Sequence, residues 1–159
     1  MTVTTTGSVL SASSEVSVLR ESLEKFVRET GYHHYTYISG KVVAGRRITD
    51  FDPRERPFRL TNVPGAWQKQ YSSNRFYDHD PVLLFALHNI LPESWAAIRQ
   101  RYPLSAKQHR IMSDAEDLGM RNGIIVPVHG PGGEFSVLSL SHDESEKQAI
   151  ANVVTDEAY

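Results

Sequence analysis

The stretch from Val63 to Trp95 gathers the residues with the most chemistry to offer. Trp67 and Tyr71 stand four apart, Asp80 directly precedes Pro81, and Trp95 completes a segment that holds both tryptophans of the chain. An indole N–H donates, a carboxylate accepts, and aromatic faces bury apolar surface. Together these suit a pocket for a small, mostly apolar ligand with one polar end. The patterns that enzymes need are missing from the sequence: no G-x-S-x-G elbow, no G-x-x-x-x-G-K loop, no H-E-x-x-H, and no G-x-G-x-x-G after a strand. The seven histidines are scattered without ligand spacing. His33 and His34 are neighbours in a strand-like stretch, where adjacent side chains point to opposite faces and cannot readily share an ion. Asp78-His79-Asp80, in a turn before a helix, reads as capping and solvation before it reads as a metal site. No cofactor or metal is expected. A hydrolase of lactones or amides, using Asp80 with a histidine, stays open as an alternative.

The elements that must position these residues follow from periodicity. Residues 1–13 are polar and lack an apolar period, and are expected as a flexible leader. One domain is expected over 14–159. From Ser14, Val16, Leu19, Leu23, Phe26 and Val27 recur at helical steps and Gly31 provides a stop, so this stripe is expected in the core. Tyr32–Ser39 reads as a strand with Thr36 and Ile38 on one face and Tyr35, Tyr37 and Ser39 on the other. Most of Gly40–Pro57 is expected as loop. Pro57–Asn62 reads as a half-buried strand beside the first, alternating Phe58/Leu60 with Arg59/Thr61. Pro64 suits the first turn of the helix that carries Trp67 and Tyr71 on one face. Asp80-Pro81 has the grammar of an N-cap and N1 proline, Ser94 suits the cap of a short helix with Trp95, and Ser105 with Gln108 forms a capping box.

After Gly119, Ile124–His129 and Glu134–Ser141 read as a hairpin closed by Gly130-Pro131-Gly132-Gly133. Pro127 argues for an edge or a bulge there. In the second arm Phe135, Val137 and Ser139 share one face, and Leu138 and Leu140 the other. A last helix is expected over Glu144–Asp156. Hairpins with helical excursions predict the α+β class: an α-β-α sandwich with a central antiparallel sheet, as in PAS and GAF modules.

Composition narrows the function classes further. The chain has 159 residues, no cysteine, a net charge of -2 with histidines neutral, and a sequence pI of about 6.4. Disulfides and thiolate metal sites are excluded, and a domain gripping phosphates by itself would normally be basic. The longest apolar runs fall far short of a membrane span, and the Thr/Ser-rich start lacks the basic and apolar regions of a signal peptide. The expected location is the cytoplasm, without membrane contact.

The spacing of Pro64, Trp67 and Tyr71, followed by Asp80-Pro81 and Trp95, resembles the ligand-binding domain of LuxR-type quorum-sensing regulators. Ala115, Gly119, Gly123, the run Val126–Gly133 and the strand ending Ser139–Ser141 continue the resemblance, which covers most of the chain from about Phe26 to Ser141. It implies a bacterial receptor for N-acyl- or aryl-homoserine lactones, the small-molecule autoinducers. By position, Trp67 would donate to the lactone carbonyl, Asp80 would accept from the ligand amide, and Ser139 would bond the acyl carbonyl. Tyr71 and Trp95 would wall the pocket, and Thr36, Ile38, Val63, Val82, Ile111, Ala115, Ile125, Phe135 and Val137 are assigned to the rest of its lining. Many family members carry tyrosine where this chain has Val63, which leaves Ser139 as the main partner for the acyl carbonyl and implies an altered chain preference.

The resemblance further implies a homodimer and DNA binding through a C-terminal helix-turn-helix domain, which these residues do not contain. An excised sensory domain and a natural short form acting through mixed dimers both fit that expectation. From spacing alone, Trp67 and Tyr71 read first as core aromatics, Asp80 as a simple cap and Ser139 as an ordinary strand serine, and it is the resemblance that reverses this order. A PAS- or GAF-like sensor of another metabolite is the other alternative.

Overall fold

A computed structural model of the chain describes residues 5–41 and 57–144. Helix α1 spans Thr5–Thr30 and ends at Gly31, whose φ of 77° is the left-handed conformation that glycine adopts without strain. It begins inside the segment expected as a flexible leader. Once the turns from Ser14 exist, each residue added before them gains a hydrogen bond without a new nucleus. Leu23 and Val27, with Val16 and Leu19, pack on one face of the sheet against Tyr35, Leu60 and Leu140. Phe26, expected in that stripe, is 45 % exposed: the buried line follows positions 16, 19, 23 and 27, and Phe26 falls to its side.

Five strands form one antiparallel sheet among the described residues: β1 (His34–Lys41), β2 (Phe58–Thr61), β3 (Glu93–Ser94), β4 (Asn122–His129) and β5 (Glu134–His142), in the order β2-β1-β5-β4-β3. The β4–β5 hairpin closes through a single 3-10 turn at Pro131–Gly133. The two-residue strand β3, absent from the expectations, covers β4 only at Ile124 and Ile125, so Pro127 lies where β4 is the sheet edge. The other face carries helices α2 (Gly65–Ser73), α3 (Pro81–His88), α4 (Trp95–Arg101) and α5 (Ala106–Asp117). Their apolar sides meet Ile125, Phe135 and Val137 of the sheet in a second, larger core. The result is the α-β-α sandwich with a central antiparallel sheet. The loop residues 42–56 and the helix expected after Glu144 lie outside the described residues.

The starts of the helices are set by single side chains. Asp80 accepts from the backbone N–H of Val82 (2.9 Å) and Leu83 (3.4 Å) with Pro81 at N1. Ser94 accepts from Ala97 N–H at 3.1 Å. Ser105 accepts from Gln108 N–H at 3.2 Å while Gln108 Oε1 accepts from Ser105 N–H at 3.0 Å. Each cap satisfies a donor that the helix cannot, for about 1 kcal/mol. Pro64 sits one residue earlier than expected, as the N-cap of α2.

Candidate ligand-binding site

Between the sheet and α2–α5 lies a cavity of about 110 Å³. Its floor is a row of side chains set by strand register: Thr61 of β2 faces Thr36 of β1, Thr36 faces Ser139 of β5, and Ser139 faces Ile125 of β4. Period two puts these on one face, with Ile38 and Val137 in the next row. Thr61 donates its hydroxyl to Tyr35 O (2.9 Å), so the 2.8 Å contact between Thr36 and Thr61 is a donation from Thr36. That leaves Thr36 with acceptor lone pairs only. The Ser139 hydroxyl has no hydrogen-bond partner among the described residues.

Trp67 and Tyr71 come from one face of α2, with ring centroids 5.5 Å apart. Phe76, in the 3-10 turn Phe76–Asp78, backs both rings at 5.7 and 6.1 Å. Nothing in the spacing of the sequence had singled it out. Trp67 is buried, and its indole N–H has no hydrogen-bond partner among the described residues. Tyr71 donates its phenol to Asp80 Oδ2 at 2.8 Å, while Asp80 Oδ1 is occupied by the cap bonds to α3. A carboxylate has about four lone-pair sites, so three bonds leave room for another donor. Burial raises the Asp80 pKa above the ordinary carboxylate value, and the bonds from Tyr71, Val82 and Leu83 hold it back. Burial first, and then the Asp80 charge, raise Tyr71 well above the ordinary phenol, which keeps it a neutral donor. No histidine bonds the Asp80 carboxylate among the described residues, so the acid–base pair that a hydrolase would use is not assembled there. Nor do the described residues contain a group of three or more His, Asp or Glu side chains placed to hold a metal.

Trp95 opens α4 and lines the same cavity. Its indole presses so close to β4 that a Cβ on Gly123 would lie 3.0 Å from its Cε2 and 2.1 Å from the carbonyl oxygen of Leu140. Glycine at 123 is therefore what lets the ring and the β5 backbone approach the strand this closely. The indole N–H of Trp95 is itself buried in the wall without a partner among the described residues.

Of the residues the sequence nominated, Thr36, Ile38, Val63, Trp67, Tyr71, Asp80, Val82, Trp95, Ile111, Ala115, Ile125, Val137 and Ser139 all border this one cavity. Phe135 does not. It is buried in the same core but stands at the start of β5, opposite Gly40 and His129, with its ring 5.0 Å from the His129 ring. Two residues further from Ser139 than Val137, it lies past the end of the chamber. The wall also includes residues the sequence reading did not nominate, among them Arg59, Thr61, Gln68, Met112, Met120 and Ser141. Ser141 carried a usable signal, being in phase with Ser139.

The family model described as "autoinducer binding domain" matches residues 16–155. Among curated relatives, the transcriptional activator protein AhyR of Aeromonas hydrophila is 28 % identical over 122 residues, which cover 76 % of this chain and 44 % of that protein. The chain thus spans less than half of AhyR's length. Two solved structures are similar in fold. The LuxR-family factor CepR2 from Burkholderia cenocepacia, described as N-acylhomoserine lactone dependent, has a TM-score of 0.59 at 20 % identity, covering 80 % of this chain and 69 % of that one. SdiA in complex with octanoyl-rac-glycerol has a TM-score of 0.61 at 19 % identity, covering 92 % of this chain and 58 % of that one. With the matched model spanning most of its length, this chain belongs to the autoinducer-binding domains of LuxR-type quorum-sensing transcription regulators.

Proposed function

We propose that the cavity binds an N-acyl- or aryl-homoserine lactone and that this domain is the sensor of a cytoplasmic, homodimeric transcription factor reaching DNA through a separate C-terminal domain. The observation that carries this reading is the inventory of polar atoms left without partners on a mostly apolar wall. Among the described residues, Trp67 offers an unpartnered N–H, Asp80 a spare acceptor site, and Ser139 an unpartnered hydroxyl. An acylated lactone brings the complements: a ring carbonyl, an amide N–H and an acyl carbonyl. Each such group buried unpaired would cost roughly 1–3 kcal/mol, so the match decides between ligands more than the apolar area does. With valine at position 63, no phenol from that position supplements Ser139 at the acyl carbonyl. Binding would complete the core between the sheet and α2–α5, which couples ligand to folding and through it to dimerisation and gene regulation.

A second reading has one specific support: SdiA was solved with an acylated glycerol. A glycerol ester offers a hydroxyl donor to Asp80 where a homoserine lactone offers an amide. Organic extraction of the purified domain followed by mass spectrometry separates the two. Cells fed a range of acyl- and aryl-homoserine lactones should yield a domain loaded with one of them. Recovery of an acylglycerol in preference to every lactone would replace the first reading with the second.

A further inference from the structure

Among the described residues, Arg59 is the one cationic side chain that borders the cavity. It sits on β2, the edge strand, in the row after Thr61, and its register partner is Ile38 on the cavity floor. The ion pairs formed among the described residues do not include it. Its charge is nonetheless felt inside, where it acts on the Tyr71 phenol against the larger effects of burial and Asp80. The strand face it shares with Thr61 is the one turned to the cavity, whereas Leu60 is buried on the α1 side.

Resting on the lactone reading, we infer that Arg59 selects the tail of the ligand: the acyl or aryl chain carries an oxygen acceptor, above all a carboxylate, at its far end. The distances fit. Ser139, assigned to the acyl carbonyl, lies two strands from β2, which is ~10 Å across the sheet, and Arg59 is one row or ~7 Å further along. A tail that runs ~12 Å from Ser139 past Thr36 and Ile38 therefore reaches the position of Arg59. Between them the wall offers Ile38 and Val137, so the middle of the tail is apolar and its end polar. A guanidinium grips a carboxylate through paired N–H donors, a geometry that a methyl end cannot use and that lysine reproduces only as a point charge. Arg59 is exposed enough for water to weaken this grip, which keeps the expected preference moderate.

The test compares two homoserine lactones of equal chain length, one ending in a methyl group and one in a carboxylate, by isothermal titration against the wild-type domain, Arg59→Met and Arg59→Lys. Methionine keeps an apolar stem at an exposed edge position, so the fold is spared. Wild type should prefer the carboxylate tail by about 10-fold, Arg59→Met should reverse that preference, and Arg59→Lys should keep only part of it. Equal affinity of wild type for both tails, or an unchanged ratio in Arg59→Met, would overturn the assignment and leave the lactone reading intact. Failure of wild type to bind either compound would overturn both.

Discussion

Asp80→Ala is expected to abolish measurable lactone binding and to lower the stability of the ligand-free domain by about 1–2 kcal/mol, while Asp80→Asn weakens binding and keeps the fold. The carboxylate has two roles that this pair separates. Oδ1 caps α3 and Oδ2 holds the Tyr71 phenol. Asparagine caps a helix about as well as aspartate, whereas alanine leaves the Val82 and Leu83 donors unpaired. What asparagine cannot supply is a charged acceptor for the ligand amide, a bond worth about 1.5–3 kcal/mol and hence roughly 10- to 100-fold in affinity.

The pH dependence follows from the raised Asp80 pKa. A carboxyl that binds its proton more tightly folded than unfolded contributes stability fully present below its unfolded value, about 3.9, and lost as pH rises through the higher folded value. At neutral pH the ionised group is therefore a cost to the ligand-free domain, and an amide donor offsets it. Lactone affinity should fall as pH drops through the raised value, earlier than for an ordinary carboxylate, and the Asp80→Asn profile should be flat there. Calorimetric titrations across that range read both effects. A pH-independent affinity in wild type would detach Asp80 from the ligand.

Trp67→Phe is expected to weaken lactone binding by 10- to 100-fold with little change in the unfolding midpoint. Phenylalanine keeps an aromatic face toward Tyr71 and Phe76, which now lie 5.5 and 5.7 Å from the indole. It deletes the one N–H, and a buried lactone carbonyl without a donor costs roughly 1–3 kcal/mol. The discriminating control is the chemistry of the ligand itself. An analogue with the ring carbonyl reduced should bind Trp67→Phe and wild type nearly alike, because the mutation then removes a donor that has nothing to serve. A large drop for both compounds would assign Trp67 to packing alone.

Local chemistry was legible in the sequence wherever cause and effect lie within one turn. The caps at Asp80, Ser94 and Ser105 and the stop at Gly31 need only residues three or four positions away, and all four are in place. The two faces of β5 were legible too, since alternation separates Val137 and Ser139 from Leu138 and Leu140. What stayed hidden depends on partners distant in the chain. β3 exists only because Glu93 and Ser94 meet Ile125 and Ile124, and two residues carry no period of their own. Phe135 is in phase with Ser139, but phase does not say where along the strand the cavity ends. The alternation in β2 was read correctly, yet its apolar face lies on α1 and its polar face, with Arg59 and Thr61, on the cavity. With helices covering both sides of a sheet, hydrophobicity cannot tell which side holds the ligand.

Urea unfolding of the domain with and without a panel of acyl- and aryl-homoserine lactones tests the central claim most directly. At about 100 times its dissociation constant, a ligand that binds only the folded state adds ~2.7 kcal/mol to the unfolding free energy. The account predicts that gain for at least one lactone in wild type and its reduction to about 0.4–1.4 kcal/mol in Trp67→Phe and Asp80→Asn at the same concentration. A folded domain whose unfolding is unmoved by every lactone, or moved equally in all three proteins, would contradict it.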